Sequence, residues 1–166
     1  LPAALINFTP ARSLTGRFTY LNFGESTQQG FELGVNAPVN DNVDVFANYS
    51  WQDKPDPKDF ALSELNLPPT NRFNAGIGFN YRRYLANLSV NYSDSAFWQD
   101  VLDARYAGTT DSYTLVNAGF GVKWMGDRFT TSIKAINLGN DDVQQHVFGD
   151  LTKRQIILEL RVNVAQ

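Results

Sequence analysis

The sequence predicts an all-β fold, an antiparallel transmembrane β-barrel wall, and three observations lead there. Apolar and polar residues alternate with period two along most of the 166 residues, with no comparable helical period. The alternating stretches are joined by connections that are short and long in turn. Their apolar faces are aliphatic in the middle and aromatic at the ends.

Seven stretches carry the alternation, near 17–38, 43–53, 71–82, 84–94, 112–125, 127–138 and 153–164, with 1–10 as a weaker eighth. In "GFELGVNA", Phe31, Leu33 and Val35 oppose Glu32, Gly34 and Asn36. "VDVFANYSW" sets Val43, Val45, Ala47, Tyr49 and Trp51 against Asp44, Asn48 and Ser50, with Phe46 out of step. In "FNAGIGFNY", Phe73, Ala75, Ile77, Phe79 and Tyr81 alternate with Asn74, Gly76, Gly78 and Asn80. In "YLANLSVNY", Tyr84, Ala86, Leu88, Val90 and Tyr92 alternate with Asn87, Ser89 and Asn91, and Leu85 is the exception. "YTLVNAGFGVKW" opposes Val116, Ala118, Phe120, Val122 and Trp124 to Asn117, Gly119, Gly121 and Lys123. "RFTTSIKA" opposes Phe129, Thr131, Ile133 and Ala135 to Thr130, Ser132 and Lys134. "RQIILELRVNV" closes the series, with Ile156, Leu158, Leu160, Val162 and Val164 against Glu159, Arg161 and Asn163.

Short turns are expected at 39–42, at Arg82-Arg83 and at Met125-Gly126-Asp127, and long connections near 54–70, 95–111 and 139–152. A soluble meander has no reason to lengthen every second connection. Outer-membrane barrels do, with short periplasmic turns and longer extracellular loops.

Alternation alone also fits a soluble sandwich, one face dry and one wet. Length, aromatic placement and charge separate the two. Nine positions of strand extend about 30 Å at roughly 3.3 Å per residue. Tilted by about 40°, they rise a little over 20 Å, close to the apolar band of such barrels. Amphipathic rings prefer the headgroup level, so aromatic residues at both ends of a face suit two membrane interfaces. No Lys or Arg falls mid-strand on the apolar faces. The opposite register would turn Lys134 and Arg161 toward lipid, at roughly 2–4 kcal/mol each near the midplane.

Composition adds bounds. The chain is 43% hydrophobic and 13% aromatic with a net charge of −3, too apolar for a disordered chain and without the basic excess of a nucleic-acid binder. It has no cysteine, which removes disulfides and thiolate chemistry. No run has the roughly 18 apolar residues of a spanning helix. The start, "LPAALINFTP", does not read as a signal peptide and lacks an initiator Met, so a trimmed chain or a piece of a longer one is expected.

No catalytic residue, metal site or cofactor is expected, and the chain is not expected to be an enzyme. His146, in "DDVQQHVFGD" near Asp141, Asp142 and Asp150, reads as a solvated loop residue before it reads as a metal or acid–base site. The long connections are acidic. Asp53, Asp56, Asp59 and Glu64 outnumber Lys54 and Lys58 in one, and Asp94, Asp100, Asp103 and Asp111 face only Arg105 in the next. The best ligand-binding candidates are Trp98, Arg105 and Tyr106 in "AFWQDVLDARYAG", which could stack on a ligand ring such as a sugar or pack the loop on itself. Gly30, Gly34, Gly76, Gly78, Gly119 and Gly121 remove bulk from the polar face, which leaves room for something to press against it or simply lets the strands bend and coil.

Several segments resemble one family. "YLNFGESTQQGFELGVNAPV" followed by "FANYSW", then "LPPTNRFNAGIGF", "KAINLGND" and "RQIILELRVNV", are similar to the late barrel strands of TonB-dependent outer-membrane receptors, in the expected order. The resemblance implies a barrel of roughly 22 strands holding an N-terminal plug. It also implies uptake of a siderophore, cobalamin or glycan, driven through a TonB box. Residues 1–166 would then be a C-terminal portion of that barrel, without plug or TonB box, in the outer membrane of a Gram-negative bacterium. Its partners would be outer-membrane lipid, the remaining plug and strands or other envelope proteins, and TonB only through the plug. The last residues, Val164-Ala165-Gln166, differ from the aromatic end usual for such barrels. Two other readings fit the residues: a complete eight-stranded barrel with a structural or adhesive role, and a soluble ligand-binding barrel or sandwich.

Overall fold

A computed structural model describes residues 24–59, 65–99, 107–147 and 149–164. Seven long strands make one antiparallel sheet: β2 (Gly30–Asn40), β3 (Val43–Gln52), β5 (Asn71–Tyr81), β6 (Tyr84–Ser93), β9 (Tyr113–Trp124), β10 (Phe129–Ile136) and β11 (Gln155–Val162), adjacent in that order. Four short strands lie in the connections: β1 (Glu25–Thr27), β4 (Asp56–Lys58), β7 (Ala96–Gln99) and β8 (Ala107–Thr110). No helix among the described residues is long and apolar enough to cross a membrane, which says nothing about strands.

The register carries the alternation across the whole sheet. Ala37 pairs with Val45, Val45 with Ile77, Ile77 with Leu88, Leu88 with Ala118, Ala118 with Ala135 and Ala135 with Ile156. Directly paired residues share a face, so this is one unbroken apolar row, and rows two residues away repeat it. A one-residue slip in any strand would break the row, which fixes the register.

Both ends of the apolar face are aromatic. At the long-loop end Phe31 lies 5.7 Å from Trp51 and 5.8 Å from Tyr49, centroid to centroid. At the short-turn end Phe79 meets Tyr81, and Tyr84 meets Phe120, each at 6.3 Å.

The short turns depend on backbone that few residues adopt. Arg82 has φ 54°, and Met125, Gly126 and Asp127 have φ 51°, 65° and 69°. Asn40 Oδ1 accepts the Asn42 N–H at 2.9 Å, closing the first turn.

Two boundaries differ from the sequence expectation. The strand expected over 17–38 enters the sheet only at Gly30, and residues 17–23 lie outside the described residues, as does 1–10. Above Gly30 the chain turns off the ladder, and β1 pairs instead with β4, Glu25 opposite Lys58. At the other end β2 runs on to Asn40 through an irregularity between Pro38 and Asn40. Proline cannot donate to a ladder, so it belongs at such a break.

The sheet lacks a core of its own. Among the described residues the only buried hydrophobic side chains are Ala96 and Val143, both in the long connections. Ile77, Leu88, Phe120 and Leu160 remain 45%, 48%, 48% and 64% exposed, so no second layer of described chain covers the apolar face. A soluble sandwich would bury them. The outer edges of β2 and β11 have no partner strand among the described residues.

Candidate functional site

All three long connections emerge at one end, where they contact one another. Leu67, ahead of β5, exchanges two backbone hydrogen bonds of 2.9 Å with Phe97 in β7. Asn66 Oδ1 accepts the Gln99 N–H at 2.7 Å. β7 pairs with β8 as a hairpin above the sheet, Ala96 opposite Thr110. This hairpin also meets the connection between β10 and β11: the Trp98 and His146 rings lie 4.5 Å apart at 51°. Gln145 Nε2 donates to the Tyr113 hydroxyl at 3.4 Å.

Of the sequence-derived site residues, Trp98 sits in β7 with its ring against His146, and its Nε1 is buried without an acceptor among the described residues. Arg105 and Tyr106 lie outside the described residues. His146 is exposed yet ties two loops together through its contact with Trp98. No three of His, Asp or Glu converge among the described residues.

Two groups organise this end, Asp94, read from the sequence only as one of several loop carboxylates, and Asn137. Asp94 follows β6 and accepts hydrogen bonds from the Tyr92 hydroxyl at 2.6 Å, the Asn71 side chain at 2.6 Å and the Asn71 N–H at 3.0 Å. Asn71 Oδ1 in turn accepts from the Tyr49 hydroxyl at 2.6 Å. The hydroxyl of Tyr92 and then the amide of Asn71 hold the Asp94 carboxyl below the usual carboxylate range, against a smaller opposing effect of burial. Two tyrosines of the long-loop aromatic end are thereby fixed to the base of two loops.

Asn137 ends β10 and is fully buried, with φ 55°. Its side chain donates to the carbonyls of Asp141 and Thr152 at 2.7 and 3.2 Å and accepts the Asp141 N–H at 3.2 Å. Asparagine tolerates left-handed backbone and supplies both donor and acceptor, so one residue stops the strand and folds the loop. The "INLGN" run was the available signal, since Asn and Gly cluster where chains turn.

The polar face has its own geometry. Lys134 Nζ meets Glu159 Oε2 at 2.6 Å, with Arg161 at 3.5 Å from Oε1 of the same carboxylate. These groups line a hollow of about 350 Å³ with Asp44 and Asn87. The glycines expected to leave this face open are covered by neighbouring strands. A Cβ on Gly76 would lie 2.5 Å from the Phe46 ring, one on Gly78 2.5 Å from the Asp44 carboxylate, and one on Gly34 2.8 Å from Asn48 Oδ1. Asn87 occupies the equivalent space at Gly119. Phe46 and Leu85, the exceptions to the alternation, both lie on this face. Phe46 packs on Gly76, and Leu85 pairs with Gly121.

No curated protein and no solved structure matched the chain. The family model described as TonB dependent receptor-like, beta-barrel matches residues 4–138, well over half the chain. That match agrees with an all-antiparallel sheet bearing one apolar and one polar face, and with long loops gathered at one end. The chain therefore belongs to the β-barrel domain family of TonB-dependent receptors, an outer-membrane family of receptors and transporters.

Proposed function

We propose that this chain stands in the bacterial outer membrane as a C-terminal portion of a receptor barrel wall. Hydrocarbon covers the face bearing Ile77, Leu88, Phe120 and Leu160. The polar face looks into a lumen occupied by a plug supplied elsewhere, through which TonB would act. The outer loops receive a scarce solute such as a siderophore, cobalamin or glycan, with Trp98, Arg105 and Tyr106 as candidate contacts. No covalent chemistry is involved.

The observation that carries this reading is the exposed apolar face, continuous across seven strands and bounded at both ends by aromatic rings. Its area would be a severe liability in water. Among the described residues β2 and β11 each have one edge without a partner strand, and open backbone groups would be costly in lipid, so in this reading further strands complete the wall.

The chain has no cysteine, which allows a direct test. Single cysteines at Leu88 and at the adjacent Asn87 are treated with a membrane-impermeant maleimide in native outer membranes and again after detergent solubilisation. Leu88→Cys should resist the water-borne reagent before and after extraction, shielded by lipid and then by detergent. Asn87→Cys should react once the lumen is accessible. Ready labelling of Leu88→Cys in the membrane would sink the proposal.

A further inference from the structure

The two aromatic ends of the apolar face differ in charge. At the long-loop end the tyrosine hydroxyls lead to a carboxylate, Asp94. At the short-turn end the aromatic rings lie beneath guanidinium groups. The Arg82 guanidinium carbon stands 5.1 Å from the Tyr81 ring centroid. That of Arg83 stands 5.1 Å from Tyr84 and 5.8 Å from Trp124, and its Nη2 donates to the Tyr84 hydroxyl at 2.8 Å. Tyr81, Tyr84 and Trp124 all belong to the apolar face. Tyr81 pairs with Tyr84, Tyr84 with Val122, and Trp124 with Phe129.

These contacts fix where the charge goes. A turn arginine could bend toward the lumen, toward bulk water or over the outer surface of the wall. Both arginines lie over rings that face outward, so their charge sits on the outer surface at the rim. Both are exposed, and neither forms an ion pair among the described residues. Arg83 uses one N–H on Tyr84, and a guanidinium has five in a planar fork suited to phosphate oxygens.

We propose that Arg82 and Arg83 form a phospholipid-headgroup site, binding the phosphate of an anionic lipid in the leaflet at the short-turn end. Tyr81, Tyr84 and Trp124 bound the path of its upper acyl chain. The proposal rests on the membrane-wall reading, because only a bilayer brings a phosphate to this height against that face. Bound phosphate neutralises the two adjacent cations and adds anchorage to the rim, which leaves this end of the wall selective for lipid charge.

The test uses the full-length protein in a neutral detergent, titrated with phosphatidylglycerol or phosphatidylcholine and followed by native mass spectrometry. The wild type should retain phosphatidylglycerol with a preference on the order of tenfold. R82Q/R83Q should lose most of that preference. Inorganic phosphate at the same concentration should leave the bound lipid in place. Absence of a preference in the wild type overturns the site, whether or not the double variant folds. An undiminished preference in R82Q/R83Q, or displacement by inorganic phosphate, also overturns it. A Leu88→Cys variant that stays protected while the preference is absent removes only the lipid site. One that labels freely in the membrane removes the wall reading beneath it.

Discussion

Asp94 shows how one side chain can serve two elements. Its carboxylate receives three hydrogen bonds from Tyr92 and Asn71 and so joins the end of β6 to the start of β5 where both leave the sheet. The folded state holds its pKa below the ordinary value, through Tyr92 first and Asn71 second. A depressed carboxylate stabilises the fold above its unfolded pKa, and that contribution fades as pH falls through the folded value. The loop joint should therefore loosen only below about pH 4. The effect is modest, because the group is only partly buried and solvent screens it. Limited proteolysis of the 53–70 and 94–111 connections in detergent should show an acid-dependent rise in cleavage. Asp94→Asn should cleave faster at neutral pH and lose most of the acid dependence. An Asp94→Asn profile identical to the wild type would refute this role.

Between strands, side chains and glycines interlock. Phe46 breaks its strand's alternation because its ring fills the space above Gly76 on the paired strand. Glycine in a strand is otherwise a weakness, and covering it with an aromatic ring from the neighbouring strand restores packing and pins the register. Gly76→Val should therefore force the Phe46 ring aside and also press on the Leu88 carbonyl, costing roughly 1–3 kcal/mol. Combining it with Phe46→Ala should recover part of that loss, since neighbours in contact are not additive. Urea unfolding in detergent micelles measures both effects. Strict additivity of the two changes would show that the ring and the glycine do not interact.

The whole sheet is a surface without an interior. Its apolar side chains lie open on one face and its charged and amide groups on the other, and among the described residues the few buried apolar side chains sit in the long connections. Such a sheet is stable only where the solvent itself is apolar on one side. The full-length protein should stay in the membrane fraction through an alkaline carbonate wash and need detergent to become monodisperse. A monodisperse preparation in plain buffer would contradict the reading. The loops at the long-loop end are joined by Leu67–Phe97 and Trp98–His146, so that end presents three connections packed together and not three independent tails.

The strand periods, their faces and the alternation of turn lengths were written in the sequence, because lipid on one side and water on the other impose a strict period of two. The ends of six of the seven long strands were legible to within a few residues for the same reason. Tertiary structure decided what depends on partners distant in the chain. It showed that Phe46 covers Gly76, that Asp94 and Asn137 organise the loops, that β1 leaves the sheet to join β4, and that Trp98 meets His146. None of these has a periodic signature. Each includes contacts between residues far apart in sequence, whose energy appears only once the register brings the strands side by side.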